Sequence, residues 1–315
     1  MRSKNVSLFL KNLLAVILLT AALDFIIGQT LRHFYFTQRT GLDYETMYAM
    51  ETTKADVLIF GSSKGSRQYP PGIFEKRLGL SCYNVSREGY FMLYHEALLK
   101  SILKRHIPKV IVLDVRDNEF QSFKDNYEEL SVLLPFYKTH PEIRRIVNMR
   151  SKYEKLKLIS SIYPFNSMMF KILAGNTDIN KDSRTIIKGY QRIDNVWNKP
   201  LKPAPAPVYN VDSNNIRSYK NFIAECIDKN IRLIIVTTPY LNKQHLHSAD
   251  VELAGQVAAD YNIPFLDYSH EQSLVSQPQL FADPVHLNNT GAGILSNMVI
   301  DSLIKNILFQ KGNKY

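Results

Sequence analysis

The chain reads as an α/β protein: a doubly wound parallel sheet in three flavodoxin-like layers, with an N-terminal transmembrane helix and a helical insertion. Three observations predict this. Short, almost wholly apolar runs rich in Val, Ile and Leu alternate with segments of helical period, as strands buried on both faces alternate with crossover helices. The first 35 residues form a separate, strongly apolar segment behind a basic flank. Between about residues 119 and 212 the alternation lapses into amphipathic pieces without a clear strand.

The N-terminal segment sets the expected location. Arg2, Lys4 and Lys11 precede an apolar run from Leu13 to Leu23 that continues past Asp24 through Phe25, Ile26 and Ile27. The roughly 20 residues between Lys11 and Arg32 match the length of a helix crossing a bilayer. The basic flank predicts a cytoplasmic N-terminus, with everything after Arg32 on the far side of an inner or plasma membrane. "LLTAALD" also fits signal-peptidase cleavage after Ala22, but the apolar stretch runs on beyond the small residues, which favours an uncleaved anchor over residues 1–35. Asp24 is expected near the far interface, or against a partner helix.

The remainder, residues 36–315, reads as one domain interrupted by the insertion. Strands are predicted at 56–60, 82–85 and 109–115, with helices at 70–80 and 93–106. This is a βαβαβ unit whose right-handed crossovers put helices on both faces of one sheet. After the insertion come a helix at 216–230, a strand at 231–239, a helix at 250–261, a short strand at 264–268 and a closing helix at 290–306. The Pro/Ala run from Pro203 to Pro207 is expected to be extended.

Composition narrows the function classes. A chain of 315 residues with 45% hydrophobic content builds a real core. Cys82 and Cys226 are too few for a disulfide framework or a metal knuckle and read as packing residues. Net charge is +10, and residues 138–199 carry 13 Lys and Arg against 5 Asp and Glu. Such a field draws anionic partners, among them phospholipid headgroups and acidic polysaccharide; a solvated helix face is the plainer alternative. Outside the cytoplasm, nucleic acid is not an expected partner. His95, His106, His140, His245 and His247 have no carboxylate or cysteine at ligand spacing, so neither a metal site nor a cofactor is expected.

In open α/β sheets, ligands collect beyond the carboxyl ends of the strands. "DVLIFGSSKG", residues 56–65, ends a buried strand in Ser62 and Ser63. Gly89 lies in the loop after the second strand and Asn118 just past the third. "FADPVHLNNTGA", residues 281–292, carries Asp283 and His286 ahead of the last helix. A serine hydroxyl becomes a nucleophile when an imidazole takes its proton, and the imidazole needs a partner that fixes its tautomer. Asp283 and His286 supply orienter and base from one tight loop. The N–H groups of Ser63 and Gly89 and the Asn118 amide offer three donors for an oxyanion hole.

This arrangement resembles the SGNH (GDSL-like) hydrolase superfamily. "LIFGSS" matches its first block with Ser62 in place of Asp, so the resemblance puts the nucleophile on Ser63. "NVSREG" matches the second and puts an oxyanion glycine at Gly89. "RDNE" keeps the third block's amide as Asn118, while Arg116 and Glu119 depart from the pattern. "DPVH" matches the fourth, implying Asp283 and His286 as triad members. Ser62 and the anchor-plus-domain layout are similar to membrane-anchored SGNH-like proteins of envelope modification. "GSSKG" also satisfies the nucleophile elbow Gly-x-Ser-x-Gly of α/β-hydrolases, but that fold places its elbow after several strands and its acid and histidine on separate loops.

The expected function is therefore that of an extracytoplasmic, anchored serine esterase or O-acyltransferase. Its expected substrate is an acylated envelope glycan or lipid-linked carbohydrate, with a membrane acyl-transfer protein as a candidate partner. The alternative is a non-catalytic glycan-binding scaffold of such a complex. Lys64 and Arg67 either meet an anionic substrate or sit in solvent. Ser62 is the competing nucleophile. Trp197 and the insertion tyrosines either stack on sugar rings or pack the cap.

Overall fold

The computed structural model describes residues 2–123, 125–177, 186–201, 210–241 and 248–312. The Pro203 to Pro207 run, His245 and His247 fall outside the described residues. From the N-terminus, α1 (Arg2–Phe36) and α2 (Leu42–Glu51) precede β1 (Val57–Phe60), α3 (Ser63–Gln68), α4 (Pro71–Leu78), β2 (Cys82–Asn84), α5 (Met92–Leu103) and β3 (Val110–Asp114). A series of short helical turns follows, then β4 (Ile186–Ile187) and β5 (Tyr190–Gln191), which pair antiparallel. The chain closes with the helix Ser213–Asp228, β6 (Arg232–Thr237), the helix Ala249–Asp260, β7 (Phe265–Asp267) and the helix Asn289–Gly312.

Two compact units divide the chain: residues 1–44 with 130–181, and residues 45–129 with 182–315. The second is the α/β unit. Its five strands are all parallel, in the order β2-β1-β3-β6-β7. The chain moves from β1 to β2 on one side and then returns to β3 on the other. The loops after β1 and β3 therefore diverge and leave a crevice at their carboxyl ends.

The three central strands, β1, β3 and β6, are mostly apolar and covered on both faces. Side chains alternate across the sheet. Val57 and Ile59 of β1, Val110 and Val112 of β3, and Ile234 and Val236 of β6 point to one side. There they pack with Phe74 of α4 and with Leu295, Val299 and Ile300 of the last helix. Phe60 points to the other side and meets Phe222 edge-on, with ring centroids 5.0 Å apart, while α5 and the Ser213–Asp228 helix pack together on that face.

The insertion is narrower than the expected 119–212. Its flanks belong to the α/β unit because their backbone is bonded there. The Phe120 N–H donates to Asp250 Oδ2 at 2.8 Å, and Gln121 bridges to Val211. Asn84 donates to the Lys188 carbonyl, Trp197 to Phe281 and Asn289 to Ile193. Trp197 is half-buried and packs on the sheet core. Both cysteines are buried and unpaired.

The first unit joins α1 to residues 130–181. Helix α1 is long and apolar enough to cross a bilayer. Residues 4–23 are exposed throughout, and packing begins at Asp24. Beyond that point Tyr35 is fully buried, its ring edge-on to Phe136 at 5.8 Å and tilted on Phe165 at 5.7 Å. Asn176 reaches back to the Phe34 carbonyl at 2.7 Å.

Phe222 is fully buried. Phe222→Ala is expected to cost about 3–5 kcal/mol, read as a lower denaturant midpoint with an unchanged slope. Phe123→Ala, at a position 39% exposed, should cost less than about 1 kcal/mol.

Candidate active site

Strand β1 ends at Phe60, and the chain turns through Gly61 and Ser62 into α3, whose first residue is Ser63. Ser62 and Lys64 are buried, whereas Ser63 is half-buried and opens to the crevice. The turn is held from two sides. Asn84, at the end of β2, donates its amide to the Gly65 carbonyl at 2.8 Å and the Tyr69 carbonyl at 3.3 Å. Lys64 points inward, its Nζ donating to the carbonyls of Thr238 (2.9 Å) and Pro239 (3.2 Å) beyond β6 and lying 3.0 Å from the Tyr240 ring centre.

The partner loop comes from the other end of the chain. Phe281 and Leu287 pair as an antiparallel bridge, closing residues 282–286 into a tight turn. Within it Asp283 Oδ1 accepts from the N–H groups of Val285 (2.8 Å) and His286 (2.9 Å). Asn288 caps the following helix, its Oδ1 accepting from the N–H groups of Thr290 and Gly291, both at 3.1 Å. The "DPVHLNN" stretch is thus a carboxylate-capped turn feeding a capped helix.

These two pieces meet. Ser63 Oγ lies 2.9 Å from His286 Nε2, and His286 Nδ1 lies 2.8 and 3.0 Å from the two oxygens of Asp283. With Asp283 ionised, Nδ1 carries the proton and donates to it, leaving Nε2 to accept from the Ser63 hydroxyl. Burial by itself raises the Asp283 carboxyl. The His286 ring and the N–H groups of Val285 and His286 outweigh it and hold the carboxyl at about 2. Ser62 is not brought to the histidine: its hydroxyl is buried with no hydrogen-bond partner among the described residues.

The three expected oxyanion donors sit at the carboxyl ends of adjacent strands. Ser63 follows β1 and, as the first residue of α3, has an N–H without an intrahelical acceptor. Gly89 follows β2 at a φ of +87°, a backbone conformation that a side chain rarely adopts. Asn118 follows β3 and is half-buried, its carbonyl accepting from Gln121 at 3.4 Å. No hydrogen bond joins Gly89 or the Asn118 amide to the triad among the described residues. The two departures in "RDNE" have a structural role. Arg116 faces Glu119, buried beneath the loop, at 3.8 Å and stacks over Phe91 at 3.7 Å.

Of two further neighbours of the triad, Arg67 was expected to meet an anionic substrate or solvent, and Glu88 escaped the sequence reading. Arg67 Nη1 lies 3.4 Å from His286 Nε2, and its Nη2 donates to Glu88 at 2.7 Å. Arg67 stands one helical turn after Ser63, and Glu88 directly precedes Gly89. The signal was the i, i+4 spacing on α3. Lys64 is neither solvated nor facing a substrate. Near it, Asp114 accepts from the Tyr69 hydroxyl at 2.6 Å. Burial pushes the lysine down and the aspartate up, and their mutual attraction opposes both shifts.

Lys64→Met removes the cation near a buried carboxylate and is expected to cost about 3–5 kcal/mol of stability by thermal unfolding. Asp283 has a depressed folded pKa, so its contribution is present above its ordinary value near 4 and is lost as pH falls toward 2. Its side chain is 40% exposed, so after solvent screening the loss is about 1 kcal/mol. Asp283→Asn should flatten that part of an unfolding-versus-pH curve. No protein-family model matches the chain, and neither does any curated protein.

Proposed function

We propose that the chain is a membrane-anchored, extracytoplasmic serine esterase or O-acyltransferase of SGNH-like kind. Its substrates are acyl esters of a cell-envelope glycan or lipid-linked carbohydrate. The observation that carries this reading is the unbroken relay from the Ser63 hydroxyl through His286 to the Asp283 carboxylate, at 2.9 and 2.8 Å.

In this mechanism Ser63 Oγ attacks the ester carbonyl carbon while its proton passes to His286 Nε2. Asp283 stabilises the imidazolium that forms. The N–H groups of Ser63 and Gly89 and the amide of Asn118 take the negative charge on the former carbonyl oxygen. Collapse breaks the ester C–O bond, and the leaving alcohol takes the proton back from His286. The acyl-Ser63 ester is then attacked by water, giving an acid, or by a sugar hydroxyl, giving a new ester. The attacker's proton passes through His286 back to Ser63. Arg67 sets an N–H group 3.4 Å from His286 Nε2, beside the reacting atoms, with its charge balanced by Glu88.

A fluorophosphonate ester probe is expected to label the folded protein on Ser63, and Ser63→Ala should abolish the labelling. His286→Ala should lower hydrolysis of an activated acyl ester by at least about 10³-fold. Well-folded protein that takes no label would leave the cleft as a glycan-binding scaffold of an acyl-transfer complex.

A further inference from the structure

The unit that carries α1 also carries an exposed apolar and basic segment that the catalytic reading does not use. Residues 151–159 wind as a helical turn with Glu154 and Leu158 turned inward. The other side presents Tyr153, Leu156 and Ile159, which are 55%, 65% and 73% exposed. Lys152, Lys155 and Lys157 are exposed among them. The one carboxylate in this stretch, Glu154, is buried and paired with Arg150 and Lys157, so the outward charge is positive.

Asp24 fixes where this segment meets α1. Its carboxylate accepts from Ser160 Oγ at 2.5 Å, the Ser161 N–H at 2.6 Å and the Ile162 N–H at 3.4 Å. One turn on, a Cβ at Gly28 would fall 2.4 Å from the Ser161 backbone, so the approach needs glycine. Below Asp24 a cleft of about 590 Å³ runs beside Val16, Ile17, Thr20 and Ala21, with Ile159 on its other wall.

The level of the bilayer follows from helix geometry. At 1.5 Å per residue, about 20 residues cross the hydrocarbon layer. If the exposed residues 4–23 are the span, Asp24 lies at its boundary. If the span runs between Lys11 and Arg32, Asp24 lies about 12 Å inside it. Both registers bring residues 160 and 161, bonded to Asp24, within reach of lipid, the first at the interfacial depth of amphipathic segments and the second deeper.

We infer that residues 152–161 form a second membrane contact, a foot embedded in the bilayer interface beside α1. Leu156 and Ile159 enter the acyl region, lipid chains fill the cleft at Val16–Ala21, and Lys152, Lys155 and Lys157 lie at the phosphate level, their stems covering apolar surface. This rests on α1 being a membrane anchor. The occupant is lipid rather than protein because the apolar side chains are interleaved with lysines and continue the lipid-facing surface of α1.

The test uses the full chain reconstituted in vesicles of phosphatidylcholine and phosphatidylglycerol. A fluorophore is placed on Ile159→Cys or Leu14→Cys, both exposed positions, with the buried Cys82 and Cys226 left unlabelled. Lipids carrying a nitroxide and aqueous iodide serve as the two quenchers. The expected result is loss of emission to the lipid nitroxide at both positions, strongest for a shallow nitroxide at 159, with protection from iodide. Quenching at 14 without quenching at 159 overturns the foot and leaves the anchor standing. Absence of lipid quenching at 14 overturns the anchor and the foot with it. Protection of 159 from both quenchers assigns the surface to a protein partner and also overturns the proposal.

Discussion

The contact between Ser63 and His286 joins residues 223 positions apart, and it exists only because both are held by rigid pieces. A hydroxyl that wandered by an ångström would lose the imidazole, so the fold must fix two turns independently. On one side the α3 turn is fastened to β2 through Asn84 and to the chain beyond β6 through Lys64. On the other, Asp283 is both the cap of its own turn and the orienter of the ring. The same carboxylate that shapes the loop therefore sets the tautomer. A parallel sheet makes the meeting possible, since the carboxyl ends of all five strands open toward one side.

Much of this was legible because it rests on local chemistry. The five sheet strands lie within a residue or two of where they were expected, and for β1, β3 and β6 the reason is a continuous Val, Ile and Leu run buried on both faces, which has little alternative. The Asp283–His286 spacing also carried its geometry, because a turn that short leaves the two side chains within reach. Gly89 and Asn118 were legible as loop residues beyond strands. Where they lie relative to Ser63 is a matter of long-range loop placement, which spacing does not contain.

Lys64 was misread for a physical reason. Lysine in the first turn of a short polar helix normally faces water, and only the tertiary fold supplies two carbonyls, an aromatic face and a nearby aspartate in the interior. The insertion boundaries failed similarly. Residues 119–123 and 186–201 lack an α/β signature, yet single hydrogen bonds between their backbone and Asp250, Phe281 and Asn84 stitch them to that unit. Such bonds leave no periodic trace. Arg116 and Glu119, three residues apart, face each other at 3.8 Å, a pairing that the sequence alone did not announce.

The first unit is assembled from two stretches of chain separated by most of the early α/β strands. Asp24 leaves the ribosome 136 residues ahead of Ser160, the hydroxyl that it will accept from. At about 5–20 residues per second this interval is on the order of ten seconds. During biosynthesis the carboxylate therefore stands on its helix without the hydroxyl and N–H groups that later bond to it. Completion of this unit is consequently a late event, timed by translation of the sequence in between.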